Sequence, residues 1–134
     1  MTPQDEDRGE LSLPYSILSI DLGETTGSAW YVPRTNKLSC GSTKDPAEII
    51  TFVNFIAPQL VILESFPATR SLAQGLESVY ESLLEISIPV SPGTWKPFMK
   101  SRKKKFAEAK NQHEKDALNI LRYYFITKYG RDIE

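Results

Sequence analysis

Ile17-Leu18-Ser19-Ile20-Asp21-Leu22-Gly23 is a short apolar run that stops on a carboxylate and a glycine, the pattern of a buried strand entering a turn. Downstream of it, Gly27 to Val32 and Leu38 to Cys40 read as two more strands, and Pro33-Arg34-Thr35-Asn36 supplies the turn between them. The three strands make a meander. Asp45-Pro46-Ala47-Glu48 then places Asp at N-cap, Pro at N1 and Glu at N3, a capping-box start for a helix. Ile49, Phe52, Val53 and Ile56 recur along its face, and Pro58 stops it. Leu60-Val61-Ile62-Leu63 is continuously apolar, as a strand covered on both faces is. Ser71 to Ile86 reads as a second helix, with Leu72, Leu76, Val79, Leu83 and Ile86 in one stripe that Tyr80 and Leu84 widen. Ile88 to Ser91 is a last strand, ended by Pro92-Gly93, and a terminal helix runs from Gln112 to Lys128 with Gly130 suited to its stop.

Three strands, helix, strand, helix, strand, helix is the order of an α/β fold. It implies a mixed five-stranded sheet, an antiparallel meander joined by helical crossovers to parallel strands, with helices flanking it. Residues 1–13, polar and without periodicity, are expected to be a disordered leader, and 14–134 a single domain.

Composition narrows the function. Of 134 residues, 40% are hydrophobic and 25% charged, as in a globular fold, and no apolar run approaches the roughly 18 residues of a membrane span. The acidic start Met1-Thr2-Pro3-Gln4-Asp5-Glu6-Asp7 argues against a secretory or mitochondrial leader, so a reducing cytoplasm is the expected setting. One cysteine, Cys40, permits no internal disulfide or cysteine-based zinc cluster, and one histidine, His113, no site of several imidazoles. The net charge of −1 hides an asymmetry: residues 1–95 carry 5 basic and 12 acidic side chains, residues 96–134 carry 11 and 5. Lys96 to Lys110 holds seven Lys/Arg against one acid, Glu108, which suits phosphate contacts and equally a solvated loop.

Asp21 and Glu64 each follow an apolar strand directly, and ligands of open α/β sheets gather beyond such strand ends. Either acid alone reads equally as an exposed strand terminus. Two on neighbouring strands repel unless a cation or a shared proton relieves them. In the terminal helix, His113, Asp116 and Ile120 fall at i, i+3 and i+7, so Asp116 lies on or beside the apolar face of Ala117, Ile120, Leu121, Tyr124 and Phe125. A charge there needs a partner, unless it is simply an acid in an exposed first turn. Carboxylates with little sulfur or imidazole select hard cations, magnesium or manganese rather than zinc. Three acids around two such ions suit in-line displacement at phosphorus, with His113 able to orient water, take its proton or ligate an ion.

These motifs, in this order, resemble the RuvC family of Holliday-junction resolvases within the ribonuclease H-like superfamily. The matching pieces are Ile17 to Gly23 with Thr26-Gly27 after it, then Leu60-Val61-Ile62-Leu63-Glu64-Ser65-Phe66, then His113-Glu114-Lys115-Asp116-Ala117-Leu118. The resemblance spans about residues 15–128. It implies a ribonuclease H-like nuclease domain in which Asp21, Glu64, His113 and Asp116 are catalytic and bind metal, with two Mg2+ or Mn2+ ions per site. It also implies that Phe66 disturbs base stacking at the junction centre and that Arg70 lies close to phosphates. Lys96 and Lys100 occupy the region where family lysines contact the scissile strand, and Arg102, Lys103, Lys104 and Lys105 replace part of a longer segment found in bacterial members. Trp95 and Phe98 read as packing residues. The 71–86 helix matches the one near the family's two-fold axis, so a homodimer acting on branched DNA is implied.

The expected activity is thus metal-dependent hydrolysis of four-way DNA junctions by an endonuclease. Alternatives are a YqgF-type or other ribonuclease H-like enzyme acting on RNA, and a non-catalytic junction-binding module. An actin-like ATPase, suggested by Asp21 to Gly27, would need two such domains, which 134 residues do not supply.

Overall fold

The computed structural model describes residues 12–65 and 76–134. Five strands form one sheet: β1 (Ile17–Asp21), β2 (Thr26–Val32), β3 (Lys37–Thr43), β4 (Leu60–Glu64) and β5 (Ile88–Val90), in the order β3-β2-β1-β4-β5. β1–β2 and β2–β3 pair antiparallel, β1–β4 and β4–β5 parallel. This is the mixed five-stranded sheet that the strand pattern implies. Among the described residues, four helices flank it: α1 (Ala47–Ile56), α2 (Leu76–Leu84), α3 (Pro92–Lys100) and α4 (Gln112–Tyr129).

Side chains alternate across a strand, so the sheet has two separate cores. Ile17, Ala29, Tyr31, Leu38, Ile62 and Val90 pack against Trp95 and Met99 of α3 and the apolar stripe of α4. On the opposite face, Leu18, Ile20, Val61 and Leu63 pack against Ile49 and Val53 of α1 and Leu76 and Leu83 of α2. The parallel register pairs Ile17 with Leu60 through Ile20 with Leu63, which brings Asp21 and Glu64 level on the next rung. Both continue the rows that face α3 and α4.

The helix termini follow local chemistry. Asp45 accepts from the Ala47 N–H at 3.2 Å, but the Glu48 carboxylate turns to the Thr43 hydroxyl instead of closing the capping box. α1 ends where Ala57 enters the left-handed region at φ 45° just before Pro58. α4 is capped by Asn111, whose side chain accepts from Glu114 N at 2.9 Å, and stopped by Gly130 at φ 77°.

The structure corrects the sequence reading at Pro92-Gly93. These residues end β5 and at once begin α3, where the basic run reads as loop. Ser91 Oγ accepts from Gly93 N at 3.2 Å, and Pro92 sits where a missing N–H costs nothing. Trp95 and Met99, one turn apart, are buried and hold the helix in spite of Pro97 in its interior. Within the expected 71–86 helix, residues 71–75 lie outside the described residues, as does most of the expected leader. The described stripe divides: Leu76 and Leu83 are buried, whereas Leu84 and Ile86 are 39% and 56% exposed.

Candidate active site at the strand ends

Three elements bring the acids together. Asp21 closes β1, Glu64 closes β4, and Asp116 stands in the second turn of α4. α4 reaches the sheet here because of two local devices. Gly27, the residue paired with Asp21 across the meander, leaves no side chain in the way: a Cβ there would lie 2.1 Å from the His113 carbonyl oxygen. Ser19 Oγ then donates to the Ala117 carbonyl at 2.6 Å, pinning α4 to β1 beside Asp116.

Burial and the crowding of like charges act together on Asp21. Burial first, then the charges of Glu64 and Asp116 and a hydrogen bond to Glu64, push the Asp21 carboxyl up to about 7. Lys96 of α3 is the cation that opposes this rise. Glu64 is only 6% exposed and accepts from the Trp95 indole N–H at 2.7 Å. Asp116 is half-buried and accepts from Gln112 Nε2 at 2.8 Å. Glu64 and Asp116 thus both act on Asp21 through their charges. As placed, no three His, Cys, Asp or Glu side chains among the described residues are gathered closely enough to hold a metal ion. The donor chemistry nevertheless fits a hard cation, because neighbouring carboxylates that hold one proton among them gain most from a divalent charge.

The other expected residues divide. His113 is exposed in the first turn of α4, and its backbone carbonyl, not its imidazole, makes the close contact with Gly27. Phe66 and Arg70 lie outside the described residues. Lys96 and Lys100 are exposed on α3, Lys96 with its ammonium 5.6 Å from the Trp95 ring centre. Arg102 stacks on Phe98 at 3.8 Å and donates to the Phe98 carbonyl at 2.6 Å. Lys104 donates to the Ile133 carbonyl at 3.3 Å, and Lys103 and Lys105 are exposed. The basic run is thus a solvated face anchored at Arg102 and Lys104.

Sequence reading misses two groups. Trp95 packs, as expected, but is also the donor to Glu64; an indole fifteen residues into the chain beyond Tyr80 carries no mark of which carboxylate it will meet. Arg122 is 2% exposed on α4 and donates to both oxygens of Asp132, to Asn119 Oδ1 and to the Arg102 carbonyl. Its one sequence signal is a guanidinium interrupting the apolar run around Leu121.

A hollow of about 500 Å3 lies between β2, β3 and α1, lined by Trp30, Thr43, Glu48 and Phe52 among others. Its titratable groups are Glu48, held by Thr43, and Cys40, whose thiol is pushed up to about 12 by burial and the Glu114 and Glu108 charges. Such a thiol is no nucleophile near neutral pH. The titratable groups suited to chemistry therefore lie at the strand ends and not in this hollow.

No protein-family model matches the chain, and no curated protein matches it. Among solved structures, it is similar to the fowlpox virus resolvase crystallised with its substrate Holliday junction DNA, at 13% identity and a TM-score of 0.43. That likeness covers 86% of this chain and 78% of the resolvase. No helix among the described residues is long and apolar enough to cross a membrane.

Proposed function

We propose that this chain is a metal-dependent endonuclease that hydrolyses phosphodiesters in branched DNA, with a four-way junction as its substrate. The observation that carries the reading is the Asp21–Glu64 pair with Asp116 beside it, buried enough to push Asp21 up to about 7. A structural role does not call for acids placed to repel one another. A site for a divalent cation does. Asp21, Glu64 and Asp116 are the residues that would hold it. When bound, magnesium or manganese supplies charge neutralisation at the scissile phosphate and a lowered pKa for water.

The chain's own residues supply the remainder. Lys96 sets a positive charge beside Asp21, where an incoming phosphate would meet the acids. Lys100 and the exposed run 102–105 extend that charge along the surface for a DNA backbone. His113, exposed at the rim, is placed to meet solvent or substrate rather than to pair with the buried acids. The choice of four-way DNA rests on the sequence resemblance to RuvC resolvases, whose three motifs all map to this end of the sheet. A homodimer is part of the proposal, supported by the exposed Leu84 and Ile86 at the end of α2.

Cleavage of a synthetic four-way junction with magnesium or manganese, beside linear duplex and structured RNA, tests this. Paired nicks in the junction are expected from the wild type. Asp21→Asn is expected to lower the rate on the order of 10^4-fold while junction binding persists. Cleavage of RNA alone would move the protein to RNA processing, and retained cleavage by Asp21→Asn would remove the site.

A further inference from the structure

Glu64 closes β4, and its carboxylate takes a hydrogen bond from the first turn of α3. Trp95 Nε1 donates to Glu64 Oε2 at 2.7 Å, with Trp95 itself 3% exposed. An indole N–H can only donate and carries no lone pair for a hard cation. It therefore fixes the rotation of the carboxylate without competing for what that carboxylate binds. We propose that Trp95 is the positioning residue of the acidic site, aligning Glu64 toward Asp21 while Lys96, its neighbour on α3, faces the same acid. The inference rests on the nuclease reading and adds to it a residue that acts through Glu64 alone.

The placement of Trp95 is itself well determined. Ser91 caps α3, Trp95 N donates to the Ser91 carbonyl at 3.1 Å, and Met99 anchors the next turn in the core. β5 delivers this helix to the site directly, since Val90 pairs with Glu64 and its carbonyl accepts from Ser65 N at 2.9 Å. The indole is thus held from its backbone side by a helix start and from its ring side by the core. Metal-site carboxylates depend on such outer partners, and losing one costs about 10–100-fold in affinity or activity.

The protein has two tryptophans, Trp30 and Trp95, and Trp30 has no hydrogen-bond partner for its buried indole nitrogen among the described residues. Trp30→Phe therefore removes no contact of that N–H and leaves Trp95 as the sole tryptophan, excited selectively beyond the tyrosine absorption. Calorimetric titration of this protein with Mg2+, with fluorescence read in parallel, is expected to show a saturable change in Trp95 emission that follows ion binding and is lost in Glu64→Gln. Trp95→Phe, made in the wild type, is expected to weaken Mg2+ binding and lower kcat about 10–100-fold, with KM for the junction within about twofold. Unchanged emission while calorimetry shows the ion bound overturns the proposal, as does a Trp95→Phe protein equal to wild type in both Mg2+ affinity and kcat. Either of those results leaves the nuclease reading standing. A wild type that binds no Mg2+ and cuts no DNA overturns both.

Discussion

α4 carries two buried charged centres, and they are opposites. Near its start, Asp116 joins Asp21 and Glu64, where burial first and then the two neighbouring charges raise Asp21 to about 7. Further along, Arg122 meets Asp132 at 2.7 Å in an ion pair, with Asn119 and the Arg102 carbonyl taking its remaining N–H groups. One centre closes its own electrostatics. The other leaves them open. A closed centre of this kind ties the C-terminal tail and the 101–105 run to the helix, whereas an open one stores repulsion that a divalent cation can release.

Removing charge should therefore have opposite effects at the two places. Asp21 is protonated in the folded protein up to about pH 7 but only to about 3.8 when unfolded, so the native state holds the extra proton between those values. Stability without metal is expected to fall as pH rises from about 4 to 7, by on the order of 4 kcal/mol, and to level off above. Asp21→Asn should flatten that slope, and magnesium should restore stability above pH 7 by binding the native state. Urea unfolding across this range checks both, and an equally steep decline in Asp21→Asn would break the contrast.

At the closed centre, Arg122→Ala should destabilise by about 2–4 kcal/mol at neutral pH, toward the lower end because Asp132 is partly exposed. The measurement is the urea midpoint, with junction cleavage assayed where the variant is fully folded. A loss of chemistry larger than the loss of folded protein would show that the two centres are not independent. Gly27→Ala should cost about 3 kcal/mol or more, because the new methyl group would meet backbone atoms of His113 and Glu114, so that the start of α4 itself must move. Here cleavage should fall more than stability does, since the segment displaced is the one that delivers Asp116. Normal cleavage by folded Gly27→Ala would detach the start of α4 from the site.

The open centre was more legible in sequence than the closed one, for a physical reason. Asp21 and Glu64 end apolar strands, and parallel strands of equal burial bring their ends level, so local pattern carries the juxtaposition. Asp116 follows from helical spacing. Arg122 needs Asp132 to fold back from beyond Gly130, and nothing in their types announces it. α3 was hidden because Pro97 and Gly93 are poor helix formers and only the burial of Trp95 and Met99 outweighs them. The Trp95–Glu64 bond depended on that hidden helix, so it was hidden too. Gly27 was visible as part of a motif, but its purpose lies in the distance to the His113 carbonyl, which only the packed helix defines.

The Ser19–Ala117 hydrogen bond has a consequence in time. It joins the first strand of the sheet to its last helix, so the strand that carries Asp21 waits for the far end of the chain before its outer face is covered. During synthesis the sheet's early strands emerge with Asp21 and Glu64, but the third acid arrives with α4. A polypeptide interrupted before that helix carries Asp21, Glu64 and the Trp95 contact to Glu64, but neither Asp116 nor the bond that holds α4 to β1. On the proposed reading, activity is thereby withheld from unfinished chains.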